Sequence, residues 1–194
     1  MDVKNFIEQS LKESAQTKLD ILDTCKNEIE EAIEALAESV KNGGKIMLCG
    51  NGGSAADSQH LATEFMIRLS HDLNRPAIAA IALTTDSSNL TAGGNDIGFE
   101  NVFARNVEGL GREGDVLIAI STSGNSGNVI KAVEKARETG IVTIGFLGGS
   151  GGKLKDAVDI AVVIPSENVQ RIQEGHITVG HILCEATERI LYEK

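Results

Sequence analysis

Apolar positions change their rhythm near residue 44. Before it they recur at helical spacing: Phe6, Leu11, Leu19, Leu22, Ile29, Ile33, Leu36 and Val40 share one face. That pattern predicts one long helix over 2–41, ended by Gly43-Gly44. Beyond it the apolar residues come in short unbroken runs at 46–49, 77–83, 116–120, 141–146 and 160–164. Such runs mark strands buried on both faces. Helical stretches separate them: one opening at Ser54, one at about 99–109, one ending near Thr139 and a last one at about 168–192. Residues 93–98 (Gly-Gly-Asn-Asp-Ile-Gly) read as a turn before the second of these. Strands alternating with helices predict an α/β fold, an open five-stranded parallel sheet flanked by helices, with an extra N-terminal helix. Residues 1–194 are expected to form one domain, the helix 2–41 plus an α/β core over 45–194. A helix ahead of the first strand has no required place in such a sheet. Its apolar face is therefore expected to dock on another subunit.

Charge narrows the partners. The net charge is −10, from 28 acidic and 18 basic residues, which argues against a general nucleic-acid or anionic-membrane surface. Any phosphate must be gripped locally. With no Trp, one Tyr and five Phe, little is available to stack on bases. No apolar run approaches the roughly 20 residues of a membrane span, and the opening Met-Asp-Val-Lys-Asn lacks the plan of a signal peptide. A cytoplasmic protein is expected. The three cysteines, Cys25, Cys49 and Cys184, form no short-spaced pair; Cys49 and Cys184 sit in apolar runs and read as small buried residues.

The chemistry concentrates in two stretches. In the first, a strand runs into Gly50-Asn51-Gly52-Gly53, and Ser54 suits an N-cap for the helix that follows. A strand, a Gly-rich turn and a helix N-terminus form an anion site. On that helix His60 and Glu64 stand at i,i+4 and share a face. In the second, Ser121-Thr122-Ser123-Gly124-Asn125-Ser126-Gly127 offers four hydroxyls at a strand's carboxyl end. A capped turn needs only one of them; a phosphate held by neutral donors uses several. Residues 148–152 are also Gly-rich but read as a connection. Gly50-Asn51-Gly52-Gly53-Ser54-Ala55 fits G-x-G-x-x-A, yet no acidic residue ends the second strand at the distance a dinucleotide site needs. A P-loop lacks its Gly-Lys-Ser/Thr. On the last helix Gln173 and His181 lie about 80° apart around the axis. If the two helices face each other, His60, Glu64, Gln173 and His181 offer a donor set suited to Zn²⁺ or a similar ion. His176 lies off that face and reads as structural.

Several runs carry a family resemblance. They are Cys-Gly-Asn-Gly-Gly-Ser-Ala-Ala-Asp-Ser-Gln-His (49–60), Ala-Leu-Thr-Thr-Asp (82–86), Gly-Asn-Asp (94–96), Gly-Asp-Val-Leu-Ile-Ala-Ile-Ser-Thr-Ser-Gly-Asn-Ser (114–126) and Arg-Ile-Gln-Glu-Gly-His (171–176). Together they closely resemble the phosphoheptose isomerases of the sugar-isomerase (SIS) superfamily, over nearly the whole chain. The resemblance implies a flavodoxin-like five-stranded parallel sheet, a homotetramer and one Zn²⁺ per subunit. It also implies conversion of sedoheptulose 7-phosphate to D-glycero-D-manno-heptose 7-phosphate, feeding ADP- or GDP-heptose synthesis for lipopolysaccharide core, surface layer or capsule. Carried over, the substrate contacts fall on Asn51, Gly52, Gly53, Ser54, His60, Glu64, Asn95, Asp96, Ser121, Thr122, Ser123, Ser126 and Gln173. The metal ligands fall on His60, Glu64, Gln173 and His181, and the acid/base pair on Glu64 and His181. Two positions depart from the family pattern: Gly93, where a larger apolar residue is common, and Gln170, where members often carry Thr or Asp.

The implied reaction is an aldose–ketose isomerisation through a cis-enediol. Two other classes fit the same fold: a non-catalytic SIS binding protein of the initiator-associating type, and a regulatory sugar-phosphate sensor. Neither needs Glu64, and the presence of the full His60, Glu64, Gln173 and His181 set favours the isomerase.

Overall fold

Buried Val, Ile, Leu and Ala runs pair side by side in the computed structural model, which describes residues 1–193. The strands are β1 (Ile46–Gly50), β2 (Ala80–Ala82), β3 (Val116–Ser121), β4 (Val142–Gly148) and β5 (Ile160–Ile164). They form one parallel sheet in the order β2-β1-β3-β4-β5. Ile46 stands opposite Ala80 on one side and Val116 on the other, and Ile144 opposite Ile160. The helices are α1 (Val3–Thr24), α2 (Lys26–Lys41), α3 (Gly53–Met66), α4 (Ser87–Asp96), α5 (Val102–Leu110), α6 (Gly127–Glu138) and α7 (Val169–Tyr192).

Alternation along each strand builds two cores. Ile46, Leu48, Ile118, Ile120 and Phe146 point to the face covered by α2, α3 and α7. Met47, Cys49, Leu117, Ala119 and Leu147 point to the face covered by α5 and α6. Each fully buried Ile, Leu, Phe or Met among them contributes about 1.5–3 kcal/mol, so these two clusters carry much of the fold's stability. Both predicted buried cysteines lie there, Cys49 on one face and Cys184 on the other.

Three elements differ from the expectation drawn from the apolar pattern. The helix expected over 2–41 is two helices, because at Cys25 the backbone leaves helical geometry (φ −123°, ψ 4°). There the thiol turns inward to donate to Val163 O at 3.2 Å. Thr24 Oγ1 bonds back to Asp20 O at 2.8 Å, a contact that bends helices. The break lets α2 lie on β5 and α7, while α1 leaves Val3, Phe6, Ile7, Leu11, Leu19 and Leu22 exposed. The second strand spans only Ala80–Ala82, instead of 77–83. As an edge strand it has one neighbour, and Ile81 stays exposed. Residues 93–96 are the end of α4, not a turn. The Asp86 carboxylate caps that helix by accepting Asn89 N at 2.9 Å, and the ladder runs on to Ile97 N→Gly93 O at 3.0 Å. The cap at the start offsets the cost of two glycines near the end.

His176 fills the structural role its position suggested. It is 1 % exposed, stacks near Phe146, and donates Nε2–H to Leu147 O at 2.9 Å. Its Nδ1 is buried without a partner among the described residues, so a proton there would have nowhere to bond. Burial accordingly pushes its pKa down from 6.5 to about 4, against the pull of the Leu147 carbonyl. A lowered folded-state pKa means the stabilisation is fully present above the unfolded value and is lost as pH falls toward the folded one. Between pH 6.5 and about 4, this residue should cost the fold about 1.4 kcal/mol per pH unit, about 3 kcal/mol in total. Urea unfolding of the parent and His176→Gln across that range checks this. The stability difference between them should shift with pH, and a pH-independent difference would show that the ring protonates in place.

Candidate active site

Two neighbouring parallel strands whose helices depart to opposite faces leave a crevice at their carboxyl ends. β1 and β3 are such a pair, because α3 joins the α2–α7 face and α6 the other. Asn51, which follows β1, and Asn128, in the first turn of α6, span this crevice. Their amides exchange two hydrogen bonds, at 2.9 and 2.8 Å, and Asn128 is buried.

On the β1 side, Gly52 turns the chain with φ 57° and becomes the N-cap of α3. Its carbonyl accepts Ala55 N at 3.0 Å. Ser54, expected as the cap, is instead the second helical residue and buried, because a left-handed glycine closes the turn two positions earlier. Gly53 is small for a reason: a Cβ there would stand 2.6 Å from the Gln173 amide nitrogen. Gln173, from α7, therefore lies directly over the start of α3.

On the β3 side, buried Ser121 brings its Oγ to 3.0 Å from Ser126 Oγ. Ser126 is the N-cap of α6 but makes no side-chain cap bond, which leaves the first amides of that helix facing the loop. Ser123 Oγ accepts Asn125 N at 3.2 Å, and Thr122 is partly exposed. Residues 148–152 connect, as expected, and lead into a short 3₁₀ turn, Gly152–Leu154, that braces the hydroxyl loop: Leu154 N donates to Gly124 O at 3.0 Å and Lys153 N to Asn125 Oδ1 at 3.2 Å. Thr122 and Ser123 share a pocket of about 290 Å³ with Gly149, Ser150, Glu167 and Ile172. Two helix N-termini and the hydroxyls thus open on one crevice, an arrangement that favours a bound anion.

The other cluster forms where α3 meets α7. Gly180 permits the approach, since a Cβ there would come within 2.6 Å of Leu61 Cδ1. The next residues along, His181 and His60, meet with their Nε2 atoms 2.8 Å apart, so one ring donates and the other accepts. Glu64 Oε1 is 3.7 Å from His60 Nε2 and its side chain is largely buried. His60 lies about 10 Å along α3 from Gly53. Asn95 and Asp96 are exposed at the end of α4, where Asn95 donates to Asp96 Oδ1 at 2.7 Å. No hydrogen bond among the described residues ties that pair to the other candidates. A cavity of about 530 Å³ lies along edge strand β2 between α4 and α5 and contains none of these residues. It belongs to the uncovered sheet edge.

Comparison with known proteins decides the family. The SIS domain profile matches residues 10–148. The chain is 50% identical over 192 residues to the phosphoheptose isomerase of Clostridium acetobutylicum, covering 98% of this chain and 97% of that one. The chain belongs to the phosphoheptose isomerases of the SIS family. Two solved phosphoheptose isomerases superpose closely. That of Neisseria gonorrhoeae has a TM-score of 0.89 at 41% identity, covering 95% of this chain and 98% of that one. That of Francisella tularensis has a TM-score of 0.92 at 36% identity, covering 97% and 100%.

Within this phosphoheptose isomerase fold, the cluster on α3 and α7 holds a residue that sequence reasoning passed over. Asp57 is half-buried, and its carboxyl pKa is raised, chiefly by burial, against the lowering influence of His60 and His181. The signal was available: 57, 60 and 64 are spaced i, i+3, i+7 and so form one stripe. Asn128 had no such signal, since its meaning depends on Asn51 from another strand end. For a divalent ion, two imidazole nitrogens and a carboxylate oxygen converge at His60, His181 and Glu64, and this donor chemistry fits one. In the geometry seen here, however, no group of three or more His, Cys, Asp or Glu side chains among the described residues is placed to hold a metal ion, and the two imidazole nitrogens bond to each other. Gln173 stands over Gly53, and no hydrogen bond among the described residues joins it to the histidines.

Proposed function

We propose that this chain interconverts sedoheptulose 7-phosphate and D-glycero-D-manno-heptose 7-phosphate through a cis-enediol, supplying a precursor for ADP- or GDP-heptose. The observation that carries the reading is the pairing of an anion crevice with a carboxylate–imidazole cluster, in a chain half identical to a phosphoheptose isomerase over its length. Among the described residues no helix is long and apolar enough to cross a membrane. A binding-only or sensor protein would have no use for Glu64 and His181 at one point, and relatives named for isomerase activity do not favour it.

The substrate phosphate sits in the hydroxyl loop, on Ser121, Thr122, Ser123 and Ser126 and the first amides of α6. Asn51, Gly52, Gly53 and Ser54 border it, Gln173 holds the sugar hydroxyls, and Asn95 and Asp96 contribute to substrate binding. The chain's far end then reaches His60, Glu64 and His181. Glu64 removes the proton from C1 of the ketose; the C1–H pair becomes the C1–C2 double bond, and the C2 oxygen takes a proton from His181. In the return step His181 takes the C1 hydroxyl proton, the C1 carbonyl forms, and Glu64 delivers its proton to C2. Imidazole suits the oxygen transfers because it exchanges protons near neutral pH. A divalent ion such as Zn²⁺ held by His60, Glu64, Gln173 and His181 would supply Lewis-acid polarisation of the carbonyl.

Turnover of sedoheptulose 7-phosphate tests the reaction directly. Ser121→Ala with Ser123→Ala should weaken substrate binding by about 1–3 kcal/mol per lost charge-assisted bond without unfolding the protein. A double variant that binds and turns over like the parent would move the phosphate elsewhere.

The role of the ion has its own test. Metal analysis of purified protein, then chelation and add-back in the turnover assay, should show activity lost and restored. His60→Ala should then cost nearly as much as Glu64→Gln. Full activity after complete metal removal would make the ion incidental and leave Glu64 and His181 acting alone.

The assembly proposed is a homotetramer. Its support is α1, whose exposed Val3, Phe6, Ile7, Leu11, Leu19 and Leu22 are more apolar surface than a free helix ordinarily shows. Light scattering should give a mass near four times 20.5 kDa. A stable monomer would remove the reading.

A further inference from the structure

Arg75 lies in the loop between α3 and β2, outside every chemical motif of the sequence. Its side chain is nevertheless 1% exposed and pairs, Nε to Oε2 at 2.8 Å, with Glu188, which is 0% exposed. The other guanidinium nitrogens donate to backbone: one to Phe65 O at 2.8 Å and Pro76 O at 3.0 Å, the other to Glu64 O at 2.8 Å. The second Glu188 oxygen accepts Ser70 N at 2.9 Å. Burial alone would raise the Glu188 pKa, but the Ser70 and Arg75 bonds outweigh it and hold the carboxyl below its usual range.

These bonds have a particular address. The carbonyls of Glu64 and Phe65 belong to the last turn of α3, where a helix has no donors of its own to offer. On α7, Glu188 lies seven positions after His181, about 20° around the axis and so on the same stripe. The buried ion pair thus ties the turn that carries Glu64 to the stripe that carries His181.

We propose that Arg75 is a positioning residue that bolts the last turn of α3 to α7 and so sets the separation of Glu64 and His181. The inference rests on the isomerase reading above. The geometry calls for a guanidinium: one side chain meets three acceptors on two helices and a fourth, Pro76 O, in its own loop, which the single point charge of lysine cannot do. Stability alone does not explain it, since apolar residues of similar volume often replace a buried ion pair without loss.

The test compares the parent, Arg75→Lys and the double variant Arg75→Met with Glu188→Leu. Three readouts are taken: kcat and KM on sedoheptulose 7-phosphate, thermal midpoint, and the imidazole NMR resonances. The proposal expects both variants to stay folded with kcat about 10- to 100-fold lower, and KM within about threefold because the hydroxyl loop is untouched. The His60 and His181 resonances should move while that of His176 does not. Parent-like kcat and unmoved His60 and His181 resonances in a folded variant would overturn it. So would a loss of activity that follows the thermal midpoint with the His176 resonance shifted along with those of His60 and His181, which is a purely structural role. If the double variant does not fold, Arg75→Lys alone carries the comparison. A parent inactive on this substrate would count against the isomerase reading, and the resonances would still judge the clamp.

Discussion

Asn51 and Asn128 hold each other across the one place where the sheet opens. Each amide gives a donor and an acceptor to the other, at 2.9 and 2.8 Å, so the buried Asn128 and the half-buried Asn51 both find a partner. The pair fixes the turn after β1 against the first turn of α6, and with them the two helix N-termini that face the crevice. Break it, and the buried Asn128 amide must find a new partner, at a cost of about 1–3 kcal/mol if it stays unsatisfied. The loops would also lose their mutual alignment. The hydroxyl loop depends on this fixed floor, and the brace from 152–154 holds it from the other side.

The two ends of the crevice are built differently. The anion end is mostly backbone, with glycine turns, helix starts and hydroxyls in hydrogen bonds of 3.0 and 3.2 Å. The other end is made of side chains from two separate helices, meeting because Gly180 lets Leu61 come close. Its geometry is therefore only as fixed as the packing of α3 on α7. Backbone sites come with their strand–turn–helix unit, whereas a side-chain site needs help from residues that never touch the substrate.

That difference explains what the sequence disclosed. Strand runs, their parallel order with helices between, and the hydroxyl loop follow from local patterns, and all could be read directly. The break at Cys25 could not, since it depends on a thiol reaching Val163, 138 positions away. Nor could the shortness of β2, because a run of Ala and Ile looks the same at an edge as at the centre. Ser54 misled because a serine before a helix usually caps it, while here Gly52 takes the turn first. The i,i+4 relation of His60 and Glu64 was plain, but their meeting with His181 is a fact about two helices. Asp57, Asn128 and Arg75 act through partners distant in sequence, and Asp57 alone left a local trace.

A rigid anion end and an adjustable reacting end suit an enzyme whose substrate changes only at the carbons farthest from its phosphate. The phosphate is the same in substrate and product, so binding it well favours both equally and does not by itself speed the proton transfer. What it does is deliver C1 and C2 to a constant place relative to α3. In the mechanism proposed above, rate then depends on whether Glu64 and His181 arrive at that place together. Glu64 travels with α3, which starts at the anion end and so keeps step with the phosphate. His181 travels with α7, which has no covalent tie to that end within the site and reaches it through Gln173 over Gly53 and through the contact at Gly180. The α3–α7 interface is therefore the element whose precision the chemistry feels most, and it is where this chain places a buried charge pair that its core did not require for burial alone.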